Sequence, residues 1–138
     1  MRNMMTKTFL FLPALCLAVC LLGCSKLEPM SGTVTFEDGK PLTTGTVIFQ
    51  TNGFQAKGTL DAQGKYKIGS DKPGNGLPSG KYEVGIAGAE VQVSTKGGGE
   101  SFESKPLIKE KYSDPSTSGI TVTVDGKTKT FDFKVEKP

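Results

Sequence analysis

The chain contains no histidine and no tryptophan, and its single arginine is Arg2. Its three cysteines, Cys16, Cys20 and Cys24, all fall within the first 24 residues. Each absence removes a class of chemistry. Without histidine there is no imidazole to run acid–base catalysis near neutral pH, and no Ser-His-Asp arrangement can form. No Gly-x-Ser-x-Gly stretch occurs either. A zinc or copper centre built on imidazole or thiolate finds no ligand after residue 24. The same residues cannot form a disulfide among themselves, so stability must come from an apolar core and strand pairing. No catalytic residue, metal site or cofactor is therefore expected, and the chain reads as a non-enzyme. A concentrated basic field is also lacking. The 17 basic and 14 acidic residues give a net charge of +3 with no run of one sign, so a nucleic-acid partner has no electrostatic support.

Long apolar runs are scarce as well. There is one, Phe9 through Leu22, of 14 residues, preceded by Arg2 and Lys7. A helix rises ~1.5 Å per residue and needs about 20 apolar residues to cross a hydrocarbon core. This run is too short, and Pro13 weakens it further. A positive head, an apolar core and a small residue at the boundary form the layout of a secretory signal peptide. The run closes Leu21-Leu22-Gly23-Cys24, which resembles the lipobox of bacterial lipoproteins. That resemblance covers only the leader. It implies that residues 1–23 are removed as a signal, with Gly23 the last residue cut away. It implies too that Cys24 becomes the first residue and carries a diacylglycerol on its thiol, with a further acyl chain on the new amine. Several acyl chains anchor stably where one binds marginally. The implied partner is a membrane, reached through lipid on Cys24, and the implied location is the cell envelope. By analogy with the sorting of the lipoproteins it resembles, Ser25 in place of an aspartate implies the outer membrane. Two other readings of the cysteines stand beside this one: ordinary residues of the apolar run, or a C-x3-C-x3-C metal site, which would lie in a hydrophobic segment without histidine.

Removing residues 1–23 from 138 leaves 115, enough for one domain and not two. Arg2 and Lys7 leave with the leader, so 15 lysines face 14 acids and the mature balance is +1. Residues 24–30 read as a lipidated tether and residues 31–138 as a folded domain.

No window of 11 or more residues carries a helical period. From Ser31 onward short runs alternate apolar and polar residues, which is the strand signature. Val34 and Phe36 alternate with Thr33 and Thr35, and Val47 and Phe49 alternate with Thr46, although Ile48 interrupts the polar face. Tyr66 and Ile68 stand between lysines; Tyr82, Val84 and Ile86 form another set, and Ile120, Val122 and Val124 another. Phe131, Phe133 and Val135 close the chain, and alternation with Asp132 and Lys134 predicts Phe133 buried. Hairpin-like turns are expected at 37–40 (EDGK), 61–65 (DAQGK) and 124–128 (VDGKT). A longer loop is expected at 71–80, and a glycine-rich loop or bulge at 94–101. Short strands at this spacing predict an all-β sandwich or barrel.

The stretches "SGTVTFEDGKPLTTGTVIFQ", "GTLDAQGKYKI" and "LPSGKYEVGI" resemble the carboxypeptidase regulatory-like, or transthyretin-like, β-sandwich, over about Ser31 to Ile86. The closing part, from "EKYSDPSTSGITVTV" to "KTFDFKV", resembles the C-terminal half of small bacterial lipoproteins built on this sandwich. The resemblance implies a Greek-key sandwich of seven or eight strands, with strand order undefined over 87–110. The hydrolases of this fold that process a urate derivative rely on His and Arg residues absent from the mature chain, so that branch is excluded. Gly80 would turn the chain into the strand carrying Tyr82, and Tyr66 and Tyr82 would each place a ring in the core with the hydroxyl at its rim.

The remaining chemistry belongs to carboxylates and loops. Glu37, Asp38, Asp61, Asp71 and Asp125 sit at turns, where local hydrogen bonding is their usual role and a weak calcium site the alternative. A carboxylate-pair glycosidase has little room for a cleft. Gly126-Lys127-Thr128 ends like a phosphate loop but lacks the upstream glycine. The loop 111–119, KYSDPSTSG, offers Asp114, Ser116, Thr117 and Ser118 as a recognition site for a glycan or protein; the alternative is a connection held by its own hydrogen bonds. Two functions follow: a structural or protein-interaction module of the envelope, or a carbohydrate- or small-ligand-binding lipoprotein. A coherent patch of exposed aromatics would favour the second, with Phe54 and Phe102 the candidates.

Overall fold

The structure is a computed structural model that describes residues 26–95 and 101–138. The leader, Gly23 and Cys24 lie outside the described residues, as do the three glycines at 97–99. Two sheets face each other. One orders β4 (Lys65–Lys67), β1 (Ser31–Phe36) and β9 (Phe133–Val135). The other orders β3 (Phe54–Thr59), β2 (Thr46–Thr51), β5 (Gly80–Ala87) and β8 (Ile120–Val124). These seven strands make the expected all-β sandwich. Two more, β6 (Glu90–Ser94) and β7 (Phe102–Pro106), pair only with each other, so the strands number nine among the described residues. The order that was undefined over 87–110 is thus a separate hairpin inserted between neighbours β5 and β8.

Alternation builds the core. Val34, Tyr66 and Val135 from the first sheet meet Val47, Phe49, Tyr82, Val84, Ile86, Val122 and Val124 from the second. Phe49 is fully buried and its ring sits 6.1–6.2 Å from those of Tyr66, Tyr82 and Phe131. Both predicted tyrosines are buried by their rings and tied by their hydroxyls. Tyr66 donates to the Phe131 carbonyl, and Tyr82 to the Pro78 carbonyl at 2.8 Å. Burial is the main cause that pushes both hydroxyls above the usual tyrosine range. At Gly32 a Cβ would fall 1.9 Å from the Phe131 carbonyl oxygen, so only glycine lets β1 lie against the segment that leads into β9.

Three expectations need correction. The turn at 37–40 folds β1 back on itself, with Phe36 donating to the Lys40 carbonyl at 2.8 Å, Leu42 to the Val34 carbonyl at 3.0 Å and Thr35 bridging Pro41 antiparallel. The turn at 61–65 is closed the same way, by Asp61 donating to the Lys65 carbonyl at 2.9 Å, and the chain on either side pairs antiparallel at Lys57 and Gly69. The turn at 124–128 joins no such pair among the described residues and is the one to correct. It carries the chain from one sheet to the other, because β8 and β9 belong to opposite sheets. The two-residue hairpin of the sandwich is Asn52-Gly53, between β2 and β3, with Gly53 at φ 76°. Its second strand, FQAKGT, escaped the alternation because its inward positions are Ala56 and Gly58. Gly58 is small by necessity: a Cβ there would meet the Lys67 carbonyl oxygen at 2.6 Å. Phe133 is half-buried rather than buried, because β9 pairs only with β1 and leaves its other edge open. Finally, the fold begins before Ser31. Glu28 exchanges backbone hydrogen bonds with Leu77 at 2.8 and 3.1 Å, and Met30 is 2% exposed. The segment between Cys24 and the packed chain is therefore shorter than a tether of 24–30.

Candidate functional site

The loop nominated for recognition is chiefly a plug. Pro115–Ser118 form one helical turn, preceded by a 3-10 turn at Glu110–Ser113. Asp114 caps it, accepting from the Ser116 amide at 2.8 Å and the Ser116 hydroxyl at 2.6 Å, which holds its carboxyl below the usual aspartate range. The Thr117 hydroxyl donates to the Lys111 carbonyl at 2.8 Å. Ser118 is buried; its hydroxyl donates to the Val84 carbonyl and accepts from the Ile120 amide at 3.0 Å. Pro115 lies against Gly85, where a Cβ would meet the proline nitrogen at 2.6 Å. Gly85 pairs with Ile48, so the plug covers the patch where Ile48 breaks the polar outer face of its sheet. Ser118 is withdrawn from any surface role for that reason. Asp114, Ser116 and Thr117 remain exposed at the turn, with their polar atoms already partnered inside it.

The turn aspartates are engaged in the same way. Asp61 accepts from the amides of Gln63 and Lys65 at 2.8 and 2.9 Å, and Asp125 from those of Lys127 and Thr128 at 2.9 and 3.2 Å. Asp38 meets the Lys137 ammonium at 2.7 Å and the Lys40 amide at 3.1 Å. These hydrogen bonds to the charged form lower all three carboxyls, Asp38 chiefly through Lys137. Among the described residues no three Asp or Glu side chains converge on one point.

Three surfaces remain. The first is a polar row across the outer face of the four-stranded sheet. Gln55 pairs with Gln50, Gln50 with Glu83, and Glu83 with Thr121. The Gln55 amide donates to the Gln50 side-chain oxygen at 3.2 Å. With Asn52 and Phe54 they line an open concavity of about 850 Å³. Phe54 is half-buried, its ring 6.2 Å from that of Tyr82, so it offers an edge rather than a stacking platform.

The second surface is the β6–β7 hairpin. All ten of its strand residues are exposed. Val91 and Val93 share one face, and Phe102, 64% exposed, lies on the other; these are the exposed large apolar side chains among the described residues. Register pairs Val91 with Lys105 and Val93 with Glu103. A two-stranded ribbon without a supporting sheet is marginal in water. The expected exposed aromatic is thus found at Phe102 and not at Phe54.

The third is a lysine-rich groove of about 1,040 Å³ at the open edge of the sandwich, lined by Lys57, Lys65, Lys67 and Lys72 with Asp61 and Asp71. The sequence shows no such patch because its lysines come from three separate segments. Hydrogen bonds between Lys57 and Gly69, at 2.9 and 3.0 Å, bring those segments together.

No protein-family model and no curated protein sequence matches the chain. Among solved structures, the major pilin subunit of Bacillus cereus aligns at 15% identity and a TM-score of 0.47, over 81% of this chain and 30% of the pilin. A 9R-lipoxygenase from Cyanothece PCC8801 aligns at 16% identity and a TM-score of 0.35, over 79% of this chain and 16% of the enzyme. The chain thus spans less than a third of either protein, and its fold rests on its own strand pairing.

Proposed function

We propose that the chain is a non-enzymatic, lipid-anchored β-sandwich of the cell envelope that acts as a protein-interaction module, with the β6–β7 hairpin as its contact element. The observation that supports it is the distribution of apolar surface. Val91 and Val93 on one face and Phe102 on the other stand exposed on an element that neither sheet supports, while the other large apolar side chains of the described residues are buried or half-buried. Exposed apolar groups gathered on one element mark an interaction site, and open strand edges are templates for pairing with another chain. The anchor part of the reading rests on the lipobox-like Leu21 to Cys24. The test places a photo-crosslinking residue at Val91, Val93 or Phe102, and at exposed Thr123 as a control, in cells with an intact envelope. A defined protein adduct at the hairpin positions and none at Thr123 is expected. No adduct at the hairpin, or the same adducts at Thr123, would reject the hairpin as a contact element.

A second reading, binding of a neutral oligosaccharide, is favoured by the amide and carboxylate row of Gln50, Gln55 and Glu83, groups suited to sugar hydroxyls. Titration with an oligosaccharide panel would support it only if heat of binding is lost in both Gln50→Ala and Glu83→Ala.

A further inference from the structure

Ion pairing is unevenly spread over the two poles of the sandwich. Glu136 pairs with Lys109 and Lys111 at 3.1 and 2.9 Å, and Asp38 with Lys137 at 2.7 Å. These groups lie beyond the ends of β1 and β9, which run parallel and finish side by side at Phe36 and Val135. The opposite pole gathers the incoming chain, the loop after β4 and the connection from β8 to β9. Ile68 donates to the Met30 carbonyl at 2.8 Å, Leu77 pairs with Glu28, and the Ser31 amide donates to the Lys129 carbonyl at 3.0 Å. A Cβ on Gly126 would meet the Glu28 carboxylate at 2.8 Å, so the turn at Asp125–Lys127 also closes on the incoming chain. At this pole Lys26 alone is ion-paired among the described residues, to Glu28 at 3.5 Å. Lys67, Lys72, Lys127 and Lys129 are exposed and make no ion pair among the described residues, and Lys57 joins them through the groove. The unpaired acids nearby are Asp71, Asp125 and Asp132, and the last two have an oxygen taken by backbone amides. The pole therefore carries a positive excess.

Its position matters as much as its charge. Cys24 stands four residues before Glu28, and an extended chain covers at most ~3.6 Å per residue, about 14 Å here. A lipid on Cys24 would hold this pole, and not the ion-paired one, against the headgroups. We infer that the N-terminal pole is a docking surface for anionic lipid headgroups, with Lys67, Lys72, Lys127 and Lys129 turned toward the membrane that the Cys24 lipid enters. The inference rests on the lipid-anchor reading and deepens it: the lipid sets the distance and the lysines set the orientation. Docked this way, the sandwich stands upright on its anchor, with the ion-paired pole outward. Each lysine near an anionic surface favours the docked state by about fivefold, an attraction that falls off within a Debye length of about 8 Å at physiological salt.

The test uses the acylated full-length product, with acylation of Cys24 verified by mass, in vesicles of phosphatidylcholine alone or mixed with phosphatidylglycerol. A fluorophore is placed at Thr128 or, at the opposite pole, at Gln63, and headgroup spin-labelled lipid quenches whatever lies close. Quenching at Thr128 is expected in phosphatidylglycerol vesicles, weaker in phosphatidylcholine and weaker at high salt, with Gln63 bright throughout. Each of Lys72→Gln and Lys129→Gln should lower the docked-to-undocked ratio about fivefold, without moving the thermal midpoint. Equal quenching of Thr128 in both vesicle types, no response to either variant, or equal quenching at Gln63 would overturn the docking surface while leaving the anchor standing. A product without acyl mass that does not float with phosphatidylcholine vesicles would overturn the anchor, and the docking with it.

Discussion

Three phenylalanines give a graded test of the core. Phe49 is fully buried between the sheets, Phe133 is half-buried on an open edge strand, and Phe102 is 64% exposed on the hairpin. Truncating a buried phenylalanine to alanine costs about 3–5 kcal/mol, through lost transfer energy and the cavity left behind. Phe49 belongs at the upper end, because its ring also meets three others at 6.1–6.2 Å, and such pairs add to area burial. Phe133 stacks on Phe131 at 5.5 Å and meets Tyr66 at 6.2 Å but has solvent on one side. Half the burial suggests about 2 kcal/mol. Phe102→Ala removes surface that water already reaches and should stay within about 0.5 kcal/mol. Against a total stability of about 5–15 kcal/mol, the first change removes a large share. At about 4–8 °C per kcal/mol for a domain near this size, Phe49→Ala should lower the midpoint by at least about 12 °C. The assay is thermal and urea unfolding of a chain beginning at Ser25, followed by far-ultraviolet dichroism and by tyrosine fluorescence, since there is no tryptophan. A cost at Phe102 matching that at Phe49, or a cost at Phe133 exceeding it, would refute the two-sheet core as described.

Three shorter predictions follow from single contacts. Cys24→Ser should abolish fatty-acid labelling and leave the leader attached; continued labelling would reject the lipobox reading. Glu136 is lowered from 4.5 to about 2, first by the hydrogen bond from Lys111 and then by that from Lys109. A carboxyl lowered on folding contributes stability above its unfolded pKa and loses it as pH falls through the folded value. Melts of wild type and Glu136→Gln should therefore differ above about pH 4.5 and converge toward pH 2, and a constant difference across that window would reject the assignment. Gly85→Ala would force a Cβ to within 2.6 Å of the Pro115 nitrogen, so it should cost about 1–3 kcal/mol and speed hydrogen exchange at Ser118 and Ile120. Wild-type exchange there would show that the plug is not seated on β5.

The strand class, most inward faces and the chemistry that is out of reach are all legible along the chain without a fold. Period-2 alternation needs only local information, so Val34, Val47, Phe49, Tyr66, Tyr82, Val84 and Val122 were legible as core before any fold was known. The missing histidine excluded whole mechanisms without any geometry. Tertiary structure alone decided which turns join neighbouring strands. Asp38-Gly39-Lys40 and Asp125-Gly126-Lys127 are the same tripeptide, yet the first folds β1 back so that Thr35 bridges Pro41 and the second passes the chain from β8 in one sheet to β9 in the other. The strand at Phe54–Thr59 was hidden because close backbone approach makes its inward residues Ala56 and Gly58, so the apolar signal vanishes where packing is tightest. The loop at 111–119 reads as polar and exposed, yet Ser118 is buried because the plug covers Ile48 and Gly85 on the far side of the sheet. The lysine pole is likewise invisible along the chain. Charge spread over the segments around residues 57, 67–72 and 127–129 becomes one surface only when Glu28 pairs with Leu77 and Ser31 with Lys129. Long-range pairing, which no local pattern encodes, placed those segments side by side.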